Sequence, residues 1–305
     1  MARSVVCVPI WVFVRVLKGS LVQTILRSQT KTVTIGDDQP FCIIGERINP
    51  TGRKLFQQQL RAGDLSQVLI DIEEQIAGGA HVLDINMGVP LADEPALMAQ
   101  AVTMAQEACD LPICIDSSVI EALEAGLSVY KGKALVNSIT CELDRIEAVL
   151  PLIKEHGAAI ICLTNGEEGI PVVWDERFEF CKRLVDIVHG KWEIPLEDMI
   201  IDALAMPIGA EPQSAYHFFK TIEAIKDEFD LNTTCGASNT SFGMPSRHTL
   251  NGTFLAMAAG AGMTSAIMDA RSEECIRAVR GSDVMLSKDE YGINWIGHYR
   301  PPAKV

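Results

Sequence analysis

LNTTCGASNTSFGMPSR, residues 231–247, opens as a short β-branched run and turns through Gly236, Ala237, Ser238 and Asn239. It then enters a loop broken by Gly243 and Pro245 that ends at Arg247. The next stretch, HTLNGTFLAMAAGAGMT, reads as a small-residue helix running into an apolar strand. A strand that stops in Ser-Asn before a long loop puts a neutral amide at its C-terminal tip, where it can hydrogen-bond a polar ligand edge. A scaffold alone has no need of that amide, so the fold turns on whether other strands end the same way.

Other strands do end in this way. FCIIGE (41–46), HVLDIN (81–86), LPICIDSS (111–118), KALVNS (133–138), AAIICLTN (158–165), DMIIDAL (198–204) and MTSAIMDA (263–270) are short apolar runs that meet a polar residue near their ends. Helical apolar spacing follows them, as in DLSQVLIDIEEQIAG, which stops at Gly78-Gly79, and in SAYHFFKTIEAIKDEF. Strands alternating with helices call for a parallel sheet. Eight such units over about 250 residues predict a closed (β/α)8 TIM barrel, with its ligand site at the C-terminal ends of the strands. The tips read Glu46, Asp84 with Asn86, Asp116, Asn137, Asn165, Asp202, Asn239 and Asp269. Helix caps and turns account for Asn165 and Asp269 as well as a ligand would. In ICIDS, VNS and IIDAL the polar group lies within or against the apolar run, so Asp116, Asn137 and Asp202, with Asn239, should point into the barrel mouth. A carboxylate buried there needs a donor-rich partner.

The chain has 305 residues, 48% hydrophobic and 22% charged, enough for one large barrel with a buried core. A net charge of −14, with 26 Lys and Arg spread along the chain, argues against nucleic acid or an anionic membrane as partner. Nine cysteines without a Cys-x-x-Cys pair read as reduced thiols of a cytoplasmic protein. The six His lie apart and no metal site is expected, although a barrel lyase holding a metal with Glu46, Asp84 and Asp116 is an alternative. VVCVPIWVFVRVL (5–17) is too short to span a membrane, and no convincing cleavage site follows it. TKTVTI (30–35) alternates like a strand. Residues 1–38 are therefore read as an N-terminal extension, a hairpin or lid or else sequence upstream of the true start, ahead of a barrel domain at 39–305.

Two kinds of group, carboxylate and amide, ring the expected mouth, with no internal Lys for a Schiff base and no obvious nucleophile. Such a ring suits a flat heterocycle rich in N–H donors, such as a 2-amino-4-oxo pyrimidine edge paired with a carboxylate. FCIIGERIN, HVLDINMG, ICIDSS, ALVNSI, AAIICLT, MIIDALAMP and GASNTSFGMPSRHTLNGTFLAMAAGAGMTSAIMDA together resemble the pterin-binding methyltransferases. The methyltetrahydrofolate:corrinoid-protein type is the most similar, from about residue 41 to 280.

That resemblance implies a TIM barrel, usually homodimeric, that moves a methyl group between tetrahydrofolate and the cobalt of a corrinoid (cobalamin) carried by a separate partner protein. It implies that Asp116, Asn137 and Asp202 bind the pterin, and that Asn239 lies near the nitrogen bearing the methyl group and is the catalytic residue. Arg247 matches a loop arginine near the same site, while Glu46, Asn49 and Asp84 fall in family-like stretches. The alternatives are a non-catalytic folate-binding subunit and a dihydropteroate synthase-like enzyme. The second would need a Lys/Ser-x-Arg-type element that Arg277 and Arg280 do not clearly supply. No Asp-x-His-x-x-Gly cobalamin-binding stretch is present.

Overall fold

A computed structural model describes residues 21–300, and the apolar stretch at 5–17 lies outside the described residues. The described chain opens with an antiparallel hairpin, β1 (Thr24–Arg27) and β2 (Thr32–Ile35). Eight parallel strands follow: β3 (Cys42–Ile48), β4 (Val82–Asn86), β5 (Ile113–Asp116), β6 (Leu135–Ile139), β7 (Ala159–Leu163), β8 (Met199–Asp202), β9 (Asn232–Thr234) and β10 (Ser265–Met268). They pair in chain order, and β10 returns to β3.

The helices between them are α1 (Lys54–Arg61), α2 (Ser66–Gly78), α3 (Glu94–Ala108), α4 (Ile120–Val129), α5 (Leu143–His156), α6 (Trp174–Leu184), α7 (Ser214–Phe229), α8 (Arg247–Ala261) and α9 (Glu273–Met285), with α10 (Ile293–Tyr299) last. This is the (β/α)8 barrel that the sequence predicts. Two helices, α1 and α10, were not expected from the sequence, and α6 continues into a π-helical turn, Val185–Lys191. α1 is only eight residues long and mostly polar, with Phe56 and Leu60 buried one turn apart; its approach is set by Arg53, whose guanidinium grips buried Asp71 at 2.6 and 3.0 Å.

Apart from β9, whose Asn232, Thr233 and Thr234 are buried polar groups, the barrel strands are mostly apolar on both faces because helices cover the outside and side chains fill the inside. Ile43, Leu83, Ile113, Val136, Ile160 and Ile201 face the helices, while Ile44, Val82, Cys114, Leu135, Ile161 and Ile200 fill the interior. The ring is nearly closed. β9 has three residues, so its seam with β10 rests on a bridge from Gly236 to Ile267 and on Thr264, whose hydroxyl accepts from Thr233 N–H at 3.1 Å.

The hairpin plugs the N-terminal end of the barrel. Leu26 and Ile35 are buried among the interior residues, and Asn232 Nδ2 donates to Thr24 Oγ1 at 3.0 Å and to the Ile35 carbonyl at 2.9 Å. Arg27 and Lys133 exchange backbone hydrogen bonds beside Gly132, which has φ +147°. A Cβ there would lie 2.1 Å from the Arg27 carbonyl oxygen, so only glycine lets the hairpin seat. Among the described residues no helix is long and apolar enough to cross a membrane.

Candidate functional site

Period-two alternation decides what faces the mouth. Two places after interior residues Ile44, Val82, Cys114, Leu135 and Ile200 come Glu46, Asp84, Asp116, Asn137 and Asp202, on the same side and one layer nearer the C-terminal end. β7 breaks the pattern, since Ile161 is followed by Leu163 and Asn165 lies beyond the strand.

Four of these groups are carboxylates, and burial dominates their acidity. Glu46 is pushed up to about 7 by desolvation and then by the charges of Asp116 and Asp269, against a hydrogen bond from Ser238 and the attraction of Arg247. Asp202 is likewise raised to about 7 by desolvation, even though Leu204 N–H donates to its Oδ1 at 2.7 Å. Asp116 rises to about 6 by desolvation, although Asn86 Nδ2 donates to its Oδ2 at 2.9 Å. Asp84 is raised well above the ordinary carboxylate range by burial and by the charges of Asp116 and Glu46, and its Oδ1 has no hydrogen-bond partner. Among the described residues none of the four is in a salt bridge. Buried acceptors left short of donors are what a ligand rich in N–H groups would satisfy.

The remaining tips behave differently. Asp269 accepts from Gln75 and from the Arg271 guanidinium, and these bonds hold its pKa at about 2 despite partial burial. It is a structural carboxylate that joins α2 to the end of β10. Asn239 is exposed, on a 3-10 turn at Ala237–Ser241. Arg247 braces that turn, with Nη2 donating to the Ser238 carbonyl at 2.7 Å and Nε to Ser241 Oγ at 3.1 Å. Its guanidinium also lies 5.9 Å from the centre of the exposed Phe242 ring.

A cavity of about 530 Å³ is lined by Glu46, Asn239 and Arg247 together with Arg47, Asn49 and Asn251. That volume suits a small-molecule ligand. A second hollow of about 360 Å³ is lined by Asp116, Asn137 and Arg145. Asp84, which is buried, and Asp202 line neither one, and Asp84 lies between the two hollows electrostatically, through the charges of Asp116 and Glu46. No group of three or more His, Cys, Asp or Glu among the described residues is placed to hold a metal ion.

Several supporting residues escaped the sequence. Arg177 is fully buried in α6 and donates to the Pro171, Ala203 and Leu204 carbonyls. Leu204 has φ +62°, so the turn beyond Asp202 is held in a strained shape by Arg177 on its carbonyl and Asp202 on its N–H. Arg145 similarly donates to the Ser117, Ser118 and Ser138 carbonyls behind Asp116 and Asn137. Only a polar residue inside an otherwise apolar helix period could have marked either arginine.

A barrel with a desolvated acidic mouth defines a class, and the sequence places the chain within it. Residues 45–269 match the pterin binding enzyme family, to which this chain belongs. It is 32% identical over 250 residues to methionine synthase of Mycobacterium tuberculosis, covering 78% of this chain and 21% of that protein. It is 29% identical over 253 residues to methylcorrinoid:tetrahydrofolate methyltransferase of Eubacterium limosum, covering 81% of this chain and 92% of that one. The chain thus spans about a fifth of the methionine synthases it matches. In fold it is similar to 7,8-dihydropteroate synthase from Vibrio fischeri, with a TM-score of 0.64 at 17% identity over 87% of this chain and 99% of that one. A Yersinia pestis dihydropteroate synthase with a pterine-sulfa conjugate gives 0.63 at 16% identity over the same shares. At that identity the likeness is one of fold.

Proposed function

We propose that the protein is a methyltransferase that moves a methyl group between 5-methyltetrahydrofolate and the cobalt of a corrinoid borne by a partner protein. The observation that carries this reading is the group of four desolvated carboxylates at the mouth, none of them in a salt bridge among the described residues. A pterin presents adjacent N–H donors on its pyrimidine edge, so Asp116, Asn137 and Asp202 would bind that edge, with Asp84 beneath them and Glu46 beside them. The likeness to the Eubacterium limosum enzyme, over 81% of this chain and 92% of that one, supports methyl transfer over other pterin chemistry.

The methyl group leaves a tertiary amine, a poor leaving group until its nitrogen gains positive character. As a proton arrives on that nitrogen, Asn239 offers its side-chain oxygen as acceptor, a bond that strengthens toward the transition state. The C–N bond breaks with its electron pair staying on nitrogen, and the reduced cobalt supplies the pair for the new bond. Arg247 holds the Asn239 turn in place and leaves the acids unpaired. The same residues serve the reverse transfer. In this reading the protein works in the cytoplasm as a homodimer, with the corrinoid protein covering the mouth during transfer.

The test is anaerobic: purified protein, 5-methyltetrahydrofolate and chemically reduced cobalamin, followed by the loss of Co(I) absorbance. Protein-dependent loss that Asn239→Ala suppresses is expected. No loss, with release of pyrophosphate from a hydroxymethylpterin pyrophosphate and p-aminobenzoate instead, would reassign the site to dihydropteroate synthesis. Pterin binding without either reaction would leave a non-catalytic folate-binding subunit.

A further inference from the structure

Arg47 stands apart from the other cations around the mouth. β3 bulges between Gly45 and Ile48, so Arg47 and its neighbour Glu46 both line the larger cavity, where plain alternation would send them to opposite faces. Arg53 and Arg271 lie nearby, but both are committed: Arg53 to Asp71, and Arg271 to Asp269 and Glu74. The Arg47 guanidinium has no such bond, and its Nε is buried without an acceptor. Burial and repulsion from Arg53 and Arg271 work against its charge, while Asp269 and Asp71 attract it without bonding it. A guanidinium is a fork of donors that stays charged, and leaving it unpaired beside two other arginines costs stability unless an anion visits.

The acidic groups and this cation occupy one mouth. The acids suit the N–H-rich end of a ligand, and Arg47 suits an anionic end displaced from it toward the loop of Asn49 and Arg53. We propose that Arg47 is the subsite for a carboxylate of the glutamyl tail of folate, gripped while the pterin ring occupies the acids. The proposal rests on the folate reading above and assigns the recognition of the tail to one residue. Asn251, whose Oδ1 is also buried without a partner, lines the same cavity from α8.

Equilibrium titration with two ligands tests it: tetrahydrofolate, and a tail-less 6-methyltetrahydropterin. Arg47→Gln should weaken tetrahydrofolate roughly tenfold, the scale of one charge-assisted hydrogen bond, and leave the tail-less pterin unchanged. Arg47→Lys should recover part of the loss, and added salt should erode the tetrahydrofolate advantage of the natural protein but not that of Arg47→Gln. Unchanged tetrahydrofolate binding in Arg47→Gln overturns the subsite. So does equal weakening of both ligands, which would make Arg47 a structural residue. If the natural protein binds neither ligand, the folate reading itself fails and the subsite falls with it.

Discussion

Asp202 ends strand β8 and Asn239 sits on an exposed turn after β9, and the proposed chemistry divides between them accordingly. Asp202 is half-buried and pinned by the Leu204 N–H, so it can serve binding, whereas Asn239 is exposed where a reacting nitrogen would lie. Asp202→Asn should weaken tetrahydrofolate binding by about tenfold or more, and unchanged affinity would remove Asp202 from the pterin site. Asn239→Ala should lower the transfer rate more than the affinity, and equal losses would make it a binding residue only. Glu46 tests the electrostatics. Its folded pKa, about 7, lies above the unfolded carboxylate value, so its contribution to stability is fully present below about pH 4 and is lost as pH rises toward 7. Glu46→Gln should therefore raise the melting temperature of the ligand-free protein by a few degrees at pH 8 and leave it unchanged at pH 4. For ligand binding the sign reverses, because N–H donors need ionised acceptors. Pterin affinity should climb between about pH 6 and 7 as Asp116, Glu46 and Asp202 ionise, and a flat profile would contradict that assignment.

Among the elements, the seam between the first and last βα units is the most exacting. α2 ends against the loop after β10, where Gln75 donates to Asp269 and accepts from the Ala270 N–H at 3.0 Å each. A Cβ on Gly78 would lie 2.2 Å from the Ala270 carbonyl oxygen, with no flexible side chain to give way. Gly78→Ala should cost about 3 kcal/mol in chemical denaturation and should loosen the Arg271–Asp269 frame beside the cavity. In sequence Gly78 reads only as a helix stop. Its partner comes from 192 residues further on, and no local pattern carries that information.

In the whole molecule the same contrast appears at the barrel floor. Leu26 and Ile35 close the N-terminal end against Ile44, Val82 and Ile200, so Leu26→Ala should cost about 2–4 kcal/mol even though it lies in no βα unit; a loss below 0.5 kcal/mol would show the hairpin to be a loose attachment. The sequence by itself determined the eight units and the residues at their tips. Strands of four or five residues buried on both faces must be apolar throughout, so a single Asp, Asn or Glu within them stands out, and parity alone aims it at the mouth. Parity could not tell which tips stay unpaired. Asp116 and Asp269 both end apolar strands, and the chain marks the second only as an equally good cap or turn; one is raised to about 6 and the other held at about 2, because Arg271 and Gln75 reach only the second. Nor could it show that a bulge in β3 brings Arg47 beside Glu46. Tertiary structure decided these points: the acidity of a buried group depends on which distant side chains share its low-dielectric space, and only the closed barrel brings them together.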